Sequence, residues 1–235
     1  YVAYSMSPSG LNPLNNDSDL DSVTKEVLEN AEAFKRPDWT YIATNGTQGT
    51  KPEGLPSSIF PWAGQAIMRS GWDAGALYAF FDVGPLGTGH WHLDKLHLSV
   101  SAYGRDLLVD GGRFTYQQGS WRKYFVGSES HNVVLIDGKG QKPWANEASA
   151  PLEGNYAFTP EYDLCRGTFD GGYEGVEDAV THERSVLAVR GSYWIVLDRI
   201  QADRPHEVSV LWHFHPSCNV AVDGQAVGSV DEDVA

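Results

Sequence analysis

Residues 87–112, with the sequence GTGHWHLDKLHLSVSAYGRDLLVDGG, decide the fold because they predict a β-hairpin. Apolar and polar side chains alternate over residues 95–103, a pattern that is typical of a half-buried strand. Gly104 and Arg105 suit a tight turn, and residues 106–109 form a second, short apolar run. The sequence therefore predicts two antiparallel strands joined at this turn.

Further strand signals lie on both sides of the hairpin. They cover residues 76–83, 133–136, 181–190, 193–200 and 208–215. Gly191 and Ser192 separate two of these runs and suit a second hairpin turn. Many short strands with glycine-rich turns and little helix signal indicate a mainly β fold, an antiparallel β-sandwich.

The N-terminal part has a different pattern. Residues 1–16 are polar and without periodicity, which is typical of a linker. Residues 17–36 carry apolar side chains at spacings of three and four, with acidic residues early and basic residues late, and predict one amphipathic helix that ends at Pro37. Residues 37–64 are rich in Pro, Gly and Ser and predict an irregular connection. The β-sandwich domain is expected to span residues 65–235 and to be truncated at the C-terminus.

Composition limits the possible partners. The net charge of −14 over 235 residues argues against a nucleic-acid partner. The absence of an apolar run of roughly 18 residues argues against a membrane span. Basic residues near the histidines still allow an acidic substrate to bind locally. Cys165 and Cys218 can form one disulfide or none. Since no signal segment starts the chain and no strand or helix signal closes it, we expect a piece of a longer polypeptide.

Metal-binding and acid–base side chains cluster around the first hairpin, namely His90, His92, Asp94, Asp110 and His131. Imidazoles and a carboxylate at one end of a sheet can bind a metal or transfer protons. If the chain stays extended, His92 lies over about 20 Å from Asp110. Residues 87–94 must therefore fold back as a loop if the two are to share a ligand.

Each of these residues also has an ordinary structural interpretation. A lone histidine is most often a surface residue, Asp94 could bind only loop amides, and Asp110 before two glycines could be a turn former. The other histidines are interpreted as sheet residues: His97, His182, His206, His213 and His215.

Several stretches resemble the heparinase II/III-like polysaccharide lyases, a group that includes oligo-alginate lyases and heparin-type lyases. They are residues 89–96 (GHWHLDKL), 103–112 (YGRDLLVDGG), 114–116 (FTY) and 130–134 (SHNVV), with 69–73 and 182–186 in support. The resemblance implies a helical α/α-toroid domain followed by an antiparallel, supersandwich-like β-sheet domain. This chain is then expected to be a fragment holding the last toroid helix and part of the sheet domain, with the missing toroid as its partner.

The resemblance also implies a site. It assigns a structural zinc to His92, Asp110 and His131, and it places His90 in the active cleft as carboxylate neutraliser or base. It also places Tyr116 near the substrate, as acid or substrate contact. Such enzymes break the bond at C4 of a uronic acid by removing the C5 proton, which requires charge neutralisation, a base and an acid. Basic and aromatic candidates for substrate binding are Trp91, Lys95, Arg113, Arg122 and Tyr124.

The expected function is therefore β-elimination in a uronic-acid-containing acidic polysaccharide, by a periplasmic or secreted protein of which this fragment alone is inactive. Two alternatives stay open. His92, Asp94 and His131 also imitate the two-His-one-carboxylate iron site of oxygenases, although no basic residue stands ten positions beyond His131. A non-catalytic β-sandwich that only binds carbohydrate or packs on a partner also fits the truncated chain.

Overall fold

The computed structural model describes residues 1–224 and the backbone of residues 226–229. Short helices gather at the N-terminal end: α1 (Val2–Ser5), α2 (Thr24–Ala33) and α3 (Pro37–Ala43). A fourth, α4 (Ser120–Val126), precedes a 3₁₀ turn at Ser128–Ser130. None of the helices in these residues is long and apolar enough to span a bilayer.

The strands are β1 (Ser58–Phe60), β2 (Gln65–Arg69), β3 (Tyr78–Asp82), β4 (Leu98–Ala102), β5 (Arg105–Leu108), β6 (Val134–Ile136), β7 (Tyr156–Phe158), β8 (Tyr162–Phe169), β9 (Val180–Val189), β10 (Tyr193–Ala202), β11 (Val208–Val210), β12 (Val220–Asp223) and β13 (Ala226–Ser229). They form a five-stranded sheet in the order β1-β2-β3-β4-β5 and a four-stranded sheet in the order β10-β9-β8-β7. Two-stranded sheets pair β11 with β6 and β12 with β13. All of these pairings are antiparallel. The predicted mainly β, antiparallel fold is confirmed.

The main core lies between the two larger sheets. Phe81 and Leu98 of the five-stranded sheet share one buried cluster with Cys165 and Val186 of the four-stranded sheet. A Cβ atom at Gly167 on β8 would collide with side chains opposite, so the glycine lets the sheets approach closely. Both cysteines are free thiols.

The N-terminal segment covers the other face of the five-stranded sheet. The Tyr78 hydroxyl donates a hydrogen bond of 2.6 Å to the Ser5 carbonyl, and the buried Arg69 guanidinium binds the Met6 carbonyl. Burial of both faces explains why every residue of β3 is buried.

Several predicted element boundaries are wrong. The single helix predicted over residues 17–36 is only α2, with α1 before it inside the predicted linker. Pro37 begins α3 instead of only ending a helix, because a proline at the first helical position lacks an N–H that would have no partner there. The predicted irregular connection over residues 37–64 thus contains a helix, and it also contains β1. The domain boundaries themselves stay predictions.

The first hairpin is confirmed, but its turn lies one residue earlier than predicted. Tyr103 and Gly104 both have positive φ, 54° and 77°, as a two-residue hairpin turn of the right twist requires. β4 begins at Leu98 rather than at residue 95, because Leu96 has φ 73° and leaves the strand conformation. The run predicted over residues 208–215 is likewise shorter, since only β11 is regular strand, with Phe214 in an isolated bridge.

Candidate functional site

His92, Asp110 and His131 meet although they come from separate segments of the chain. One possible ligand atom from each lies within 4.8 Å of the others, and all of these residues are buried. His92 belongs to the loop before β4, Asp110 follows β5, and His131 follows the 3₁₀ turn before β6. The hairpin therefore supplies one ligand and the loops on either side supply the other two.

The loop before β4 folds back, as joint use of His92 and Asp110 requires. Gly87 and His90 have φ of 90° and 58°, and the Leu93 N–H donates a hydrogen bond of 2.8 Å to the carbonyl of Val126, the last residue of α4. His90, His92 and Asp94 consequently do not share a face: His90 is exposed and the other two are buried.

Asp94 is not part of the three-residue group. It is buried beside the group, and burial raises the pKa of its carboxyl to about 6. The iron-oxygenase interpretation needed this carboxylate, so the geometry favours the set with Asp110 instead.

Asp110 is the electrostatic centre of the group. Its Oδ2 lies 2.5 Å from His131 Nδ1, and its Oδ1 accepts a hydrogen bond of 2.7 Å from the Gly112 N–H. Burial alone would raise the pKa of Asp110, but the adjacent imidazoles hold it well below its usual range. Burial alone would lower the pKa of His131, but Asp110 raises it to about 8. Burial lowers the pKa of His92 to about 4.

His97, which was interpreted as a sheet residue, lies at the edge of this group. Its Nδ1 is 3.3 Å from Asp110 Oδ2 and accepts a hydrogen bond of 3.1 Å from the Asn132 N–H. Its Nε2 is 2.8 Å from the Ser99 hydroxyl. His97 therefore supports the group from the position just before β4 rather than from within the sheet.

The donor set fits a zinc ion. His92 Nδ1 and His131 Nε2 are buried and have no hydrogen-bond partner in the described part of the chain. The second nitrogen of the His92 ring, Nε2, is bonded to the Asp17 carboxylate at 2.9 Å, whereas Nδ1 of His131 contacts the candidate ligand Asp110 itself. A metal-binding histidine usually donates its other N–H to a carboxylate, as His92 does to Asp17. Two imidazoles and a carboxylate are ordinary zinc ligands.

An open cleft of about 1210 Å³ lies beside the group of His92, Asp110 and His131. Five of the predicted site residues line it: His90, Trp91, Tyr116, Arg122 and Tyr124. The Tyr116 hydroxyl is 3.0 Å from His90 Nδ1, and the Arg122 guanidinium lies 5.3 Å from the centre of the Tyr116 ring. The cleft therefore combines a hydroxyl, an imidazole and cationic groups on one wall.

The other two predicted substrate contacts lie outside this lining. The backbone of Lys95 is bonded to the Gln141 side chain, and its ammonium group lies 5.9 Å from the Trp144 ring in a separate groove. Arg113 is paired with Asp19 and stacks on the outside of Tyr116 at 4.6 Å. Backbone contacts and a local ion pair hold these two side chains outside the cleft lining, and their role in substrate binding stays a prediction.

Residues 52–233 match the family model of the heparinase II/III-like C-terminal domain. This chain belongs to the heparinase II/III-like family. It is 25% identical over 187 residues to a heparin-sulfate lyase of Pedobacter heparinus, covering 78% of this chain and 27% of that protein. The predicted family resemblance is confirmed.

Solved structures show the same fold. The heparan sulfate lyase HepC from Pedobacter heparinus matches with a TM-score of 0.79 and 24% identity, over 93% of this chain and 34% of the other. A heparinase III structure matches with a TM-score of 0.77 and 20% identity, over 94% of this chain and 36% of the other. The chain thus spans well under two thirds of the length of these relatives.

The heparinase II/III-like chain also uses a residue that the sequence interpretation missed. The side chain of Asp17, a residue at the start of the predicted helix, is 4% exposed and contacts His90, His92 and Arg122. Burial alone would raise the pKa of Asp17, but hydrogen bonds from Arg122 and the two histidines lower it to about 2. An acidic residue at the start of a predicted helix fits the helix dipole, and it gave no signal of this role.

Proposed function

We propose that the protein to which this chain belongs is a polysaccharide lyase that cleaves uronic-acid-containing polysaccharides by β-elimination. Family membership and the heparin-sulfate lyase relative support this proposal. The observation that carries it is the pair of His90 and Tyr116, which lie 3.0 Å apart on the wall of the large cleft. Heparin-type polysaccharide is the substrate class that the relative favours.

The reaction that we propose needs three kinds of group. The C5 proton of the uronate leaves to a base, the C4–O bond breaks, the C4–C5 double bond forms, and an acid protonates the leaving oxygen. His90 is the base or the carboxylate neutraliser, and the Tyr116 hydroxyl is the candidate acid. Arg122 and Lys123 in the cleft lining supply positive charge for the substrate carboxylate.

We also propose a structural zinc held by His92, Asp110 and His131. The two unpartnered ring nitrogens support it, because buried polar atoms without a partner are costly. When bound, zinc supplies a fixed positive charge that crosslinks these segments. His90 lies two residues before the proposed ligand His92, so the chain holds His90 close to the proposed zinc site.

The remaining parts of the site are proposed to come from the α/α-toroid domain of the same polypeptide. The chain covers only 27% of its curated relative, and its cleft is open to solvent on the described side. We therefore propose that residues 1–235 alone have little or no activity. We further propose that this acidic protein acts in the periplasm or outside the cell. Its proposed partner is a carbohydrate rather than nucleic acid.

The test is an assay of the full-length protein on oligosaccharides of heparan sulfate, alginate and ulvan. Product is followed by the ultraviolet absorbance of the new double bond. We expect His90→Ala and Tyr116→Phe each to lower kcat/KM by about 10²-fold or more. Tyr193→Phe, at an exposed position on β10, is the matched control and should retain full activity. Absence of product from every uronate polymer contradicts the proposal, and binding without turnover would instead indicate a carbohydrate-binding protein.

A further inference from the structure

Asp17 connects the metal group to the cleft, and the proposed reaction does not yet use it. Its side chain is 4% exposed. Its Oδ2 is 3.0 Å from His90 Nδ1, and its Oδ1 is 2.9 Å from His92 Nε2. Arg122 donates to both oxygens, at 2.5 and 2.9 Å. One carboxylate therefore binds a cleft histidine, a metal-site histidine and a cation together.

The contact with His90 selects which ring nitrogen faces the cleft. A carboxylate only accepts hydrogen bonds, so His90 must carry its proton on Nδ1 to bind Asp17. The Tyr116 hydroxyl lies on the same nitrogen, at 3.0 Å. Nε2, on the opposite edge of the ring, is then the nitrogen left for substrate, whether His90 acts as base or as neutraliser.

The contact with His92 has a matching effect. The Nε2–H of His92 donates to Asp17, which leaves Nδ1, the buried unpartnered atom, to bind a metal. The same segment also holds the backbone of both histidines. The Asp17 N–H donates to the His90 carbonyl at 3.1 Å, and the Asn16 side-chain oxygen accepts from the His92 N–H at 2.9 Å.

We propose that Asp17 is a positioning residue that sets the ring orientation and proton position of His90 and His92 together. Its lyase readout rests on the proposed function, whereas its other readouts do not. A plain ion pair that only secures the N-terminal segment would need Arg122 and no histidine. The two imidazole contacts are what distinguish the positioning role.

The first experiment measures proton position directly. The full-length protein is labelled with ¹⁵N at histidine, and the His90 signal is assigned by its loss in His90→Ala. At alkaline pH we expect the Nδ1–H tautomer of His90 in the wild type. A mixture of tautomers is expected in Asp17→Asn, because the amide can also donate to the ring. The wild-type form should persist in Asp21→Asn, an exposed acid of the same segment.

The second experiment measures metal affinity by competition with a chromogenic chelator, with zinc as the probe. We expect Asp17→Asn to weaken zinc binding by about 10- to 100-fold, Asp17→Glu to restore part of it, and Asp21→Asn to leave it unchanged. An Nε2–H tautomer of His90 in the wild type overturns the proposal without any variant. Unchanged tautomer and zinc affinity in folded Asp17→Asn overturn it as well.

The third experiment is a double-mutant cycle on lyase activity at saturating zinc. We expect Asp17→Asn to lower kcat by about 10- to 100-fold with little change in KM. In the His90→Ala background the same change should have no further effect, since Asp17 acts through His90. Fully additive losses contradict the positioning role. A wild-type protein without lyase activity contradicts only the proposed function, because the tautomer and zinc measurements still decide the role of Asp17.

Discussion

Replacement of Arg184 by methionine should both destabilise the fold and weaken zinc binding at the candidate metal site of His92, Asp110 and His131. The Arg184 side chain is fully buried on β9. Its Nε and Nη2 donate to the Asp198 carboxylate at 2.8 and 3.1 Å, and its Nη1 donates to the carbonyls of Leu96 and Asn132 at 2.9 and 2.5 Å. Leu96 immediately precedes His97, and Asn132 immediately follows His131. Arg184 therefore links the four-stranded sheet to the backbone beside the candidate metal site.

The expected loss is about 3–5 kcal/mol in the free energy of unfolding, because the change leaves the partly buried Asp198 carboxylate without its cation. His182 Nε2, 2.6 Å from Asp198, stays as a partial partner and keeps the loss within this range. Each carbonyl left without a donor costs about 1–3 kcal/mol unless water reaches it. Domains are stable by only about 5–15 kcal/mol, so the variant should be near its unfolding limit at moderate temperature.

The assay is urea unfolding followed by tryptophan fluorescence, with zinc affinity measured on the same samples. Arg166→Met is the matched control, since Arg166 on β8 is half exposed and lies 3.7 Å from Glu183. Such a surface pair contributes below about 1 kcal/mol. We expect Arg184→Met to weaken zinc binding as well, whereas Arg166→Met leaves it unchanged. A loss below about 1 kcal/mol in Arg184→Met, equal to that of the control, would refute this account.

Three further predictions follow from the same geometry. Removal of zinc by a chelator should lower the free energy of unfolding by about 4 kcal/mol if zinc was present at roughly 1,000 times its Kd. Differential scanning calorimetry can measure this loss, and His131→Ala should abolish it. Gly167→Val should destabilise by about 1–3 kcal/mol in urea unfolding, because its side chain would collide with Val83 and Leu96; no change would show that the sheets are loosely packed. Burial alone would raise the pKa of Asp198, but His182 and Arg184 lower it to about 2. Its stabilising effect is therefore complete above the ordinary carboxyl pKa of about 3.9 and is lost as the pH falls through about 2, so urea unfolding should show the wild type and Arg184→Met converging over that window.

Strand positions were predictable where apolar and polar side chains alternate along the sequence, or where a short apolar run lies between turn residues. Residues 133–136 and the hairpin of β9 and β10 agree with their predictions because their side chains alternate or are uniformly apolar between turn residues. The N-terminal helices were less predictable. Leu20 and Phe34, two apolar residues of the predicted helix, are exposed, and residues 17–23 are irregular, with Asp17 alone among them lining the cleft.

The sequence by itself determined the antiparallel hairpins, because strand periodicity is local. Its resemblance to known lyases supplied the family and the three residues, His92, Asp110 and His131, that the structure brings together as a candidate metal site. Only the tertiary structure decided that the loop before β4 folds back, that Lys95 and Arg113 turn away from the cleft, and that Asp17 reaches both histidines. These outcomes depend on contacts between residues far apart in the chain, such as the 75 positions that separate Asp17 from His92. Such contacts leave no periodic signal, because a polar residue in an irregular segment has no repeating pattern to mark its partner.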